Sequence, residues 1–338
     1  MIKTMGRQKV LLLGATGETG GSILEGLLED SDSFQSVEAL VRPSSAETPQ
    51  VKKLAERGVK IHIVDIGGTI DDLVKSLTGI DVLISAIDAM GQLAQLNLAT
   101  AAKEAGVKRF VPCAFTTVAP PGGVMALRDS KEEVYQQIRR LYLPYTIIDV
   151  GFWHQLSFPT LASGRVDYAS FAKSKVEIHG DGTMPTMLTD LRDIGRFVAR
   201  IIKDGRTLNT SVVTYSDVLS EHEIFALMEE MSGEVIERKY VSADDIAASR
   251  AHYAATLKAE PDNRLARLRS FGEDYNYSKY VRGDNTPAYA TYLGYLDARE
   301  LYPEFRPRSF KDFVGELLDG KAAKPYSHWD LGVVGRKE

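Results

Sequence analysis

Short apolar runs alternate with amphipathic segments through the first half of the chain. The apolar runs predict six strands, at residues 9–13, 37–41, 60–64, 81–87, 109–115 and 145–150. Between them, apolar residues recur three and four positions apart, which predicts helices that bury one face. Strands that alternate with helices predict an α/β fold with a doubly wound parallel sheet. Such sheets bind ligands at the carboxyl ends of their strands.

Past residue 150 the alternation becomes less regular. A helix is predicted from about Asp190, and another follows Ser220, which forms a capping box with Glu223. Residues 275–305 hold seven tyrosines. Tyrosine has an apolar body and a polar tip, which suits a pocket for a flat aromatic ligand and equally suits ordinary packing of a small lobe.

Composition excludes several classes of protein. The chain has 338 residues, of which 44% are hydrophobic and 26% charged, and a formal net charge of −5. Acids and bases are spread along it, which argues against a nucleic-acid partner. Its one cysteine, Cys113, suits a reducing compartment. The chain contains no apolar run of ~18 residues, and we expect no signal peptide at its N-terminal stretch. We therefore expect a cytoplasmic monomer or homodimer with a small-molecule substrate and no membrane partner.

A glycine-rich turn follows the first predicted strand. Gly14, Gly17 and Gly20 stand at three-residue spacing and lead into an amphipathic helix. Strand, glycine turn and helix in this order are typical of a dinucleotide-binding unit, in which the helix N-terminus holds the pyrophosphate. A tight turn in an unrelated α/β protein is the alternative. The predicted cofactor contacts in this turn are Gly14, Thr16, Gly17, Glu18, Thr19 and Gly20.

Arg42 directly follows the second predicted strand. An acid at this place would accept hydrogen bonds from the ribose of NAD, whereas an arginine suits the 2′-phosphate of NADP. Lys52 comes within reach if the loop folds back. The sequence therefore predicts NADP(H) as the cofactor, with a solvated Arg42 as the alternative.

Lys131 stands at the head of a stripe that should be buried. Val134, Ile138 and Leu141 follow at +3, +7 and +10, the spacing of one helical face. Burial and the positive end of the helix both lower a lysine pKa, which suits proton transfer near neutral pH. The alternatives are a lysine that positions the ribose and one that reaches solvent. Short-chain dehydrogenases pair the lysine with a tyrosine four residues earlier, but Leu127 stands there.

A Tyr-x-x-x-Lys pair does occur later, at Tyr275 and Lys279. We interpret this pair as a coincidence, because it stands far along the chain from the strands that would carry it to a nicotinamide.

Three stretches of the chain resemble the NmrA-like and isoflavone-reductase-like atypical short-chain dehydrogenases. They are "LISAIDAMGQLAQLNLATAAKEAGVKRFVPCAF", the placement of Lys131 before "PYTII", and "SKYVRGDNTPAYATYLGYLDARELYPEF", which resembles the fungal branch. The resemblance implies a Rossmann-type NADP-binding domain at 1–155 and a smaller C-terminal α/β substrate lobe at 156–338, partly packed back on the sheet. It also implies that Lys131 is the acid/base and that Phe115 packs against the nicotinamide.

The chain departs from the plant reductases of this family beside these positions. Their "PSEFG" is "PCAFT" here, so that Ala114 replaces a glutamate, and Tyr135 replaces an arginine. These changes leave the substrate open. The remaining expected contacts are Ser85, Ala86 and Ile87 with the cofactor, and Phe152, Trp153 and His154 with substrate. His154 stands at the expected mouth of the site, directly after the sixth strand, and an ordinary loop histidine is the alternative. The six histidines show no ligand-like spacing, so no metal is expected.

The function that follows is an NADPH-dependent reductase of a conjugated C=C, C=N or C=O bond in a small secondary metabolite, of which an aromatic metabolite is one option. Two alternatives remain. One is a regulatory protein that senses NADP(H) without turnover, and the other is an NADP-binding enzyme that catalyses a rearrangement or cyclisation.

Overall fold

A computed structural model of the protein describes residues 7–171 and 175–327. The strands are β1 (Gln8–Leu13), β2 (Phe34–Val41), β3 (Lys60–Ile63), β4 (Val82–Ser85), β5 (Arg109–Val111), β6 (Thr146–Asp149), β7 (Phe152–Trp153), β8 (Glu177–His179), β9 (Thr186–Thr189), β10 (Thr210–Val213), β11 (Asp217–Leu219), β12 (Lys239–Val241) and β13 (Leu296–Asp297). The helices are α1 (Glu18–Glu29), α2 (Pro49–Glu56), α3 (Ile70–Leu77), α4 (Gln95–Glu104), α5 (Ala126–Arg140), α6 (Leu191–Ile201), α7 (Glu221–Ser232), α8 (Ala243–Ala259), α9 (Arg264–Asn276), α10 (Pro287–Tyr292), α11 (Ala298–Leu301) and α12 (Phe310–Leu318).

The central sheet is parallel and has the strand order β3-β2-β1-β4-β5. A bridge between Phe110 and Tyr145 continues it towards β6, which pairs in parallel with β10, and β10 pairs in parallel with β13. The chain order reverses at β1, between β2 and β4, as it does in Rossmann-type sheets. The predicted doubly wound parallel sheet is therefore confirmed.

Helices cover both faces of this sheet. Val10 and Leu12 of β1 pack in one buried cluster with residues of α1 and α6, whereas Leu11 and Leu13 pack in a second cluster with residues of α3, α4 and α5. Successive strand residues thus serve opposite faces. Helices α1 and α6 touch through glycine, because a Cβ on Gly195 would lie 1.8 Å from a backbone oxygen of α1.

A second lobe lies beyond the main sheet. In it β9 pairs in parallel with β7 and antiparallel with β11, while β8 pairs with β12. Its core contains Phe158, Phe225, Phe310 and Phe313 and is closed by α7 and α12. The C-terminal half also contributes to the main sheet, because β10 and β13 extend that sheet and α6 packs on one of its faces.

The fourth and fifth strands end earlier than their apolar runs predict, at Ser85 and Val111. Pro112 follows β5, and proline has no N–H for a strand ladder. Phe115 then adopts φ +40°, in the left-handed region. The apolar residues after β5 therefore form an irregular buried segment at the carboxyl edge of the sheet, and not more strand. No helix within the described ranges is both long and apolar enough to cross a membrane.

Candidate active site

The glycine turn between β1 and α1 is so tight that it excludes larger residues. Gly14 has φ +88°, and a Cβ there would lie 2.3 Å from the carbonyl oxygen of Ala86. A Cβ on Gly20 would lie 1.9 Å from the carbonyl oxygen of Gly14. Helix α1 then starts at Glu18 with Gly17 as its N-cap, which supplies no side-chain cap to the first-turn N–H groups. An uncapped helix N-terminus behind a glycine turn fits a pyrophosphate.

The other predicted residues of the turn surround this helix start. Thr16 is exposed and Thr19 is half-buried. One carboxylate oxygen of Glu18 accepts a hydrogen bond from the backbone N–H of Tyr326, 2.7 Å away. The chain near its C-terminus therefore lies against the glycine turn.

The end of β4 lies beside the turn. The N–H of Ala86 donates to the carbonyl of Leu13 at 2.9 Å, and the carbonyl of Ile87 accepts from the thiol of Cys113 at 3.2 Å. The hydroxyl of Ser85 is buried and has no hydrogen-bond partner among the described residues. The three predicted residues of this strand end thus lie between the glycine turn and the segment after β5.

Arg42 and Lys52 lie at the carboxyl end of β2. Arg42 is exposed, precedes a short 3₁₀ turn, and forms no ion pair within the described part of the chain. Lys52 is also exposed and pairs with Glu47 at 3.1 Å. An exposed pair of this kind is worth little, so a phosphate can recruit Lys52 as well as Arg42.

Lys131 is almost completely buried, with 3% of its surface exposed. Its Nζ donates to the carbonyl of Cys113 at 2.6 Å and to Oε1 of Gln92 at 3.3 Å. Burial lowers the pKa of Lys131 and Arg128 lowers it further, while Cys113 and Asp149 oppose the shift. Helix α5 starts at Ala126, so Lys131 lies in the second turn and not at the helix start as predicted. Because the helix-terminus effect fades within one turn, desolvation is the cause of the shift.

Two glutamines that the sequence reasoning missed hold this lysine in place. Gln95 accepts from the backbone N–H of Cys113 at 2.8 Å and donates to Oε1 of Gln92 at 3.2 Å. Gln92 in turn donates to the carbonyl of Asp88 at 2.8 Å. Both glutamines are buried. Buried amides need partners, so two glutamines three residues apart among alanines and leucines were a usable signal.

A buried ion pair lies close enough to Lys131 to affect its pKa. Arg128 donates to Asp149 at 2.7 Å and to the hydroxyl of Tyr295 at 2.8 Å, and that hydroxyl donates to Asp149 at 2.6 Å. The Arg128 guanidinium also lies 5.5 Å from the ring centroid of Tyr135. Tyr135, which replaces the arginine of the plant reductases, therefore packs beneath a different arginine.

The irregular segment after β5 brings a further tyrosine to the site. The N–H of Phe115 donates to the carbonyl of Ile148 at 2.8 Å, and the hydroxyl of Thr116 lies 2.6 Å from that of Tyr275. Burial raises the pKa of Tyr275 to about 12, so the hydroxyl is neutral and can donate. The expectation that Tyr275 lies far from the site is wrong, because α9 folds back over the sheet edge.

Tyr275 and Lys279 do not act as a dyad in this arrangement. The Lys279 ammonium bonds to Tyr280 and lies over Phe152, whose ring centroid is 5.6 Å from that of Tyr275. Tyr275 therefore lies near the site, but its hydroxyl bonds to Thr116 while the ammonium of Lys279 bonds to Tyr280.

The side chains of the three residues predicted to contact substrate lie in three different environments. Phe152 is half-buried beside Tyr275, and Trp153 stacks on Tyr326 with ring centroids 5.8 Å apart. His154 is fully buried and lies 3.0 Å from the hydroxyl of Ser216, against the rings of Phe310 and Phe313.

The structure corrects the expectation that His154 lies at the mouth of the site. A 3₁₀ turn starts at His154 and breaks the strand alternation that would have placed its side chain with that of Phe152. No group of three or more potential metal-ligating side chains is found within residues 7–171 and 175–327.

Two known proteins are similar to this chain over most of its length. Asnovolin J 5′,6′-dehydrogenase of Aspergillus novofumigatus is 41% identical over 312 residues, which cover 92% of this chain and 95% of that protein. Phenylcoumaran benzylic ether reductase TP7 of Nicotiana tabacum is 27% identical over 92% of this chain and 99% of its own length.

A solved structure supports the same fold. The complex of leucoanthocyanidin reductase from Vitis vinifera with NADPH superposes with a TM-score of 0.77 at 24% identity, and covers 92% of this chain and 99% of its own. The family model described as the NmrA-like family matches residues 6–313. This protein therefore belongs to the NmrA-like family.

Proposed function

We propose that the protein is an NADPH-dependent reductase that reduces a conjugated C=C, C=N or C=O bond in a small secondary metabolite. The observation that carries the proposal is Lys131, a buried lysine of lowered pKa held at the carboxyl edge of the sheet, beside the glycine turn. The names of the relatives support it, since they are a dehydrogenase and a benzylic ether reductase. A protein that only senses NADP(H) has no use for a buried proton donor.

The residues at the strand ends fit the cofactor. The N–H groups of α1 and the glycine turn hold the pyrophosphate, and Arg42 with Lys52 holds the 2′-phosphate. Ser85, Ala86, Ile87 and Phe115 line the nicotinamide. When bound, NADPH supplies the hydride.

Lys131 handles the proton. As the conjugated system is reduced, negative charge grows on its oxygen or nitrogen, and a nearby ammonium stabilises that charge and then donates its proton. An ammonium has three N–H donors, and Lys131 directs two of them to Cys113 and Gln92. The third has only a long contact, 3.8 Å, to the sulfur of Cys113, which a substrate atom can replace.

The proposal is tested by following the absorbance of NADPH while the protein is offered enones, quinones, imines and iminium compounds. We expect turnover with at least one of these classes and no consumption of NADPH without an acceptor. Tight NADPH binding with no turnover on any compound would favour the regulatory protein or the redox-neutral enzyme instead.

The choice between NADPH and NADH can be tested separately from the chemistry. Arg42→Ala should weaken NADPH binding about 10- to 150-fold, the effect of losing a charge-assisted hydrogen bond of ~1.5–3 kcal/mol. NADH binding should change little, because NADH lacks the 2′-phosphate. Lys53→Ala, which removes an exposed cation from α2, is the control. Equal weakening of both cofactors by Arg42→Ala would contradict the assignment.

A further inference from the structure

A second buried lysine lies on the substrate side of the candidate active site. Lys279 is 2% exposed, and its Nζ lies 3.5 Å from the ring centroid of Phe152 and 4.4 Å from that of Tyr280. The same Phe152 ring contacts Tyr275, whose hydroxyl reaches Thr116. The ammonium therefore packs on the Phe152 ring, which in turn contacts Tyr275 of the candidate active site.

The charges around Lys279 do not balance. Burial lowers the pKa of Lys279, and Lys175, the second lysine of this cluster, lowers it further. Among the described residues, Glu221 is the acid whose charge acts on both lysines. The two carboxylate oxygens of Glu221 accept from the backbone N–H and the ring of His179, at 2.6 and 2.9 Å.

Neither lysine forms an ion pair with any residue that the structure describes. Lys175 donates to the carbonyl of Leu156, and Lys279 donates to the hydroxyl of Tyr280 at 3.2 Å. Two lysines and one engaged carboxylate leave one positive charge unmatched when both lysines are protonated. A buried charge without a partner is costly, and Lys279 is such an amine, with the half-buried Lys175 near enough to lower its pKa further.

The backbone around Lys279 is unusual and well fixed. Residues Tyr277–Arg282 form a π-helical turn after α9, and such turns are frequently found at functional sites. Asp284 fixes the turn, since it accepts from the hydroxyl of Ser278 and from the guanidinium of Arg282, both at 2.9 Å. The direction of the Lys279 side chain is therefore built into the fold.

We propose that Lys279 binds a carboxylate of the substrate, with Phe152 and Tyr275 packed against the flat body of that molecule between Lys279 and Lys131. One carboxylate supplies the single negative charge that the cluster lacks, whereas a phosphate would bring two. The substrate class becomes a conjugated, aromatic carboxylic acid. This inference rests on the proposed reductase function, because it assumes that Phe152 and Tyr275 face the reacting molecule.

Binding of benzoylpropionate and of its methyl ester tests the proposal. These probes share an aromatic ketone and differ in the carboxylate, and they are titrated calorimetrically into the protein with and without NADP⁺, so that no turnover is needed. The wild type should bind the acid at least 10-fold more tightly than the ester, in line with a hydrogen bond to a charged group.

Two substitutions locate the preference for the acid. Lys279→Met should abolish it, and Lys279→Arg should retain it. Lys239→Met removes an exposed lysine of the same lobe, paired with Glu177, and should also retain it. Persistence of the preference in Lys279→Met, an equal affinity of the wild type for acid and ester, or failure of the wild type to bind the acid would each overturn the proposal.

A pH series of the wild type does not depend on whether Lys279→Met folds. Burial and Lys175 lower the pKa of Lys279 to about 7. The ammonium is therefore lost as the pH rises through that value, and the ratio of acid to ester affinity should fall. A ratio constant from about pH 6 to pH 9 would contradict the proposal. If the Lys279-dependent preference is absent while NADPH turnover is normal, the carboxylate subsite alone is contradicted. If the preference is present but no acceptor is turned over, the reductase function is contradicted.

Discussion

Lys131→Met should lower kcat about 10²- to 10⁴-fold, the usual contribution of a positioned general acid, while the Kd for NADPH changes little. Methionine matches the length of the lysine stem and is apolar, so it suits a side chain that is 3% exposed. What it removes is the ammonium that bonds to Cys113 and Gln92. The measurement is steady-state turnover on the best acceptor of the panel, with NADPH binding titrated in parallel. Lys103→Met, an exposed lysine on α4, is the control and should leave both unchanged.

The pH profile separates this role from cofactor positioning. Burial lowers the pKa of Lys131, so the rate should fall as the pH rises through a value below the ordinary lysine range, because the acid form is being lost. If Lys131→Met instead weakens NADPH binding as strongly as it slows turnover, the lysine positions the ribose. Retained turnover in the variant would remove the proposed proton donor.

Arg128→Met should lower the free energy of unfolding by about 3–5 kcal/mol, the typical cost of removing one partner from a buried ion pair. Asp149 would keep only the hydroxyl of Tyr295, and one of its carboxylate oxygens already lacks a hydrogen bond among the described residues. Chemical denaturation followed by circular dichroism measures the loss.

A matched surface variant and a double variant make this result specific. Arg139→Met breaks an exposed pair with Glu132 on the same helix, and it should cost less than about 1 kcal/mol. Arg128→Met combined with Asp149→Leu should recover part of the stability, since no buried charge then remains unpaired. A loss in Arg128→Met no larger than in Arg139→Met would show that Asp149 is not left as a buried charge.

Local patterns were sufficient for the sheet, the glycine turn and the burial of Lys131. Strand and helix periodicity act within a few residues, and the turn at Gly14 and Gly20 leaves space only for glycine. The sequence pattern is sufficient to single out Gln92 and Gln95, because both are polar residues on a face that periodicity predicts to be buried. Periodicity locates such residues but does not identify their partners.

The remainder depends on contacts between distant parts of the chain. Tyr275 meets Thr116 across 159 residues, and no sequence pattern shows how α9 returns to the sheet. His154 was misplaced because one 3₁₀ turn reverses the direction of a side chain. The start of α5 was placed too late because the polar residues before Lys131 hid its first turn. Two of these errors concern where a regular element begins, and the third concerns a contact between segments far apart in the chain.

The continuation of the main sheet by β10 and β13 has a consequence for exchange of the second lobe between relatives. Arg109 of β5 is buried and donates to the carbonyl of Ile201 at 2.9 Å, the hydroxyl of Thr207 at 2.8 Å and the carbonyl of Asp204 at 2.9 Å. A nucleotide-binding half cut off near residue 155 would lose all three acceptors and expose β6 as an unpaired edge, which invites aggregation. A second lobe transplanted from a relative would therefore have to bring β10 and β13 with it, since these strands complete the main sheet.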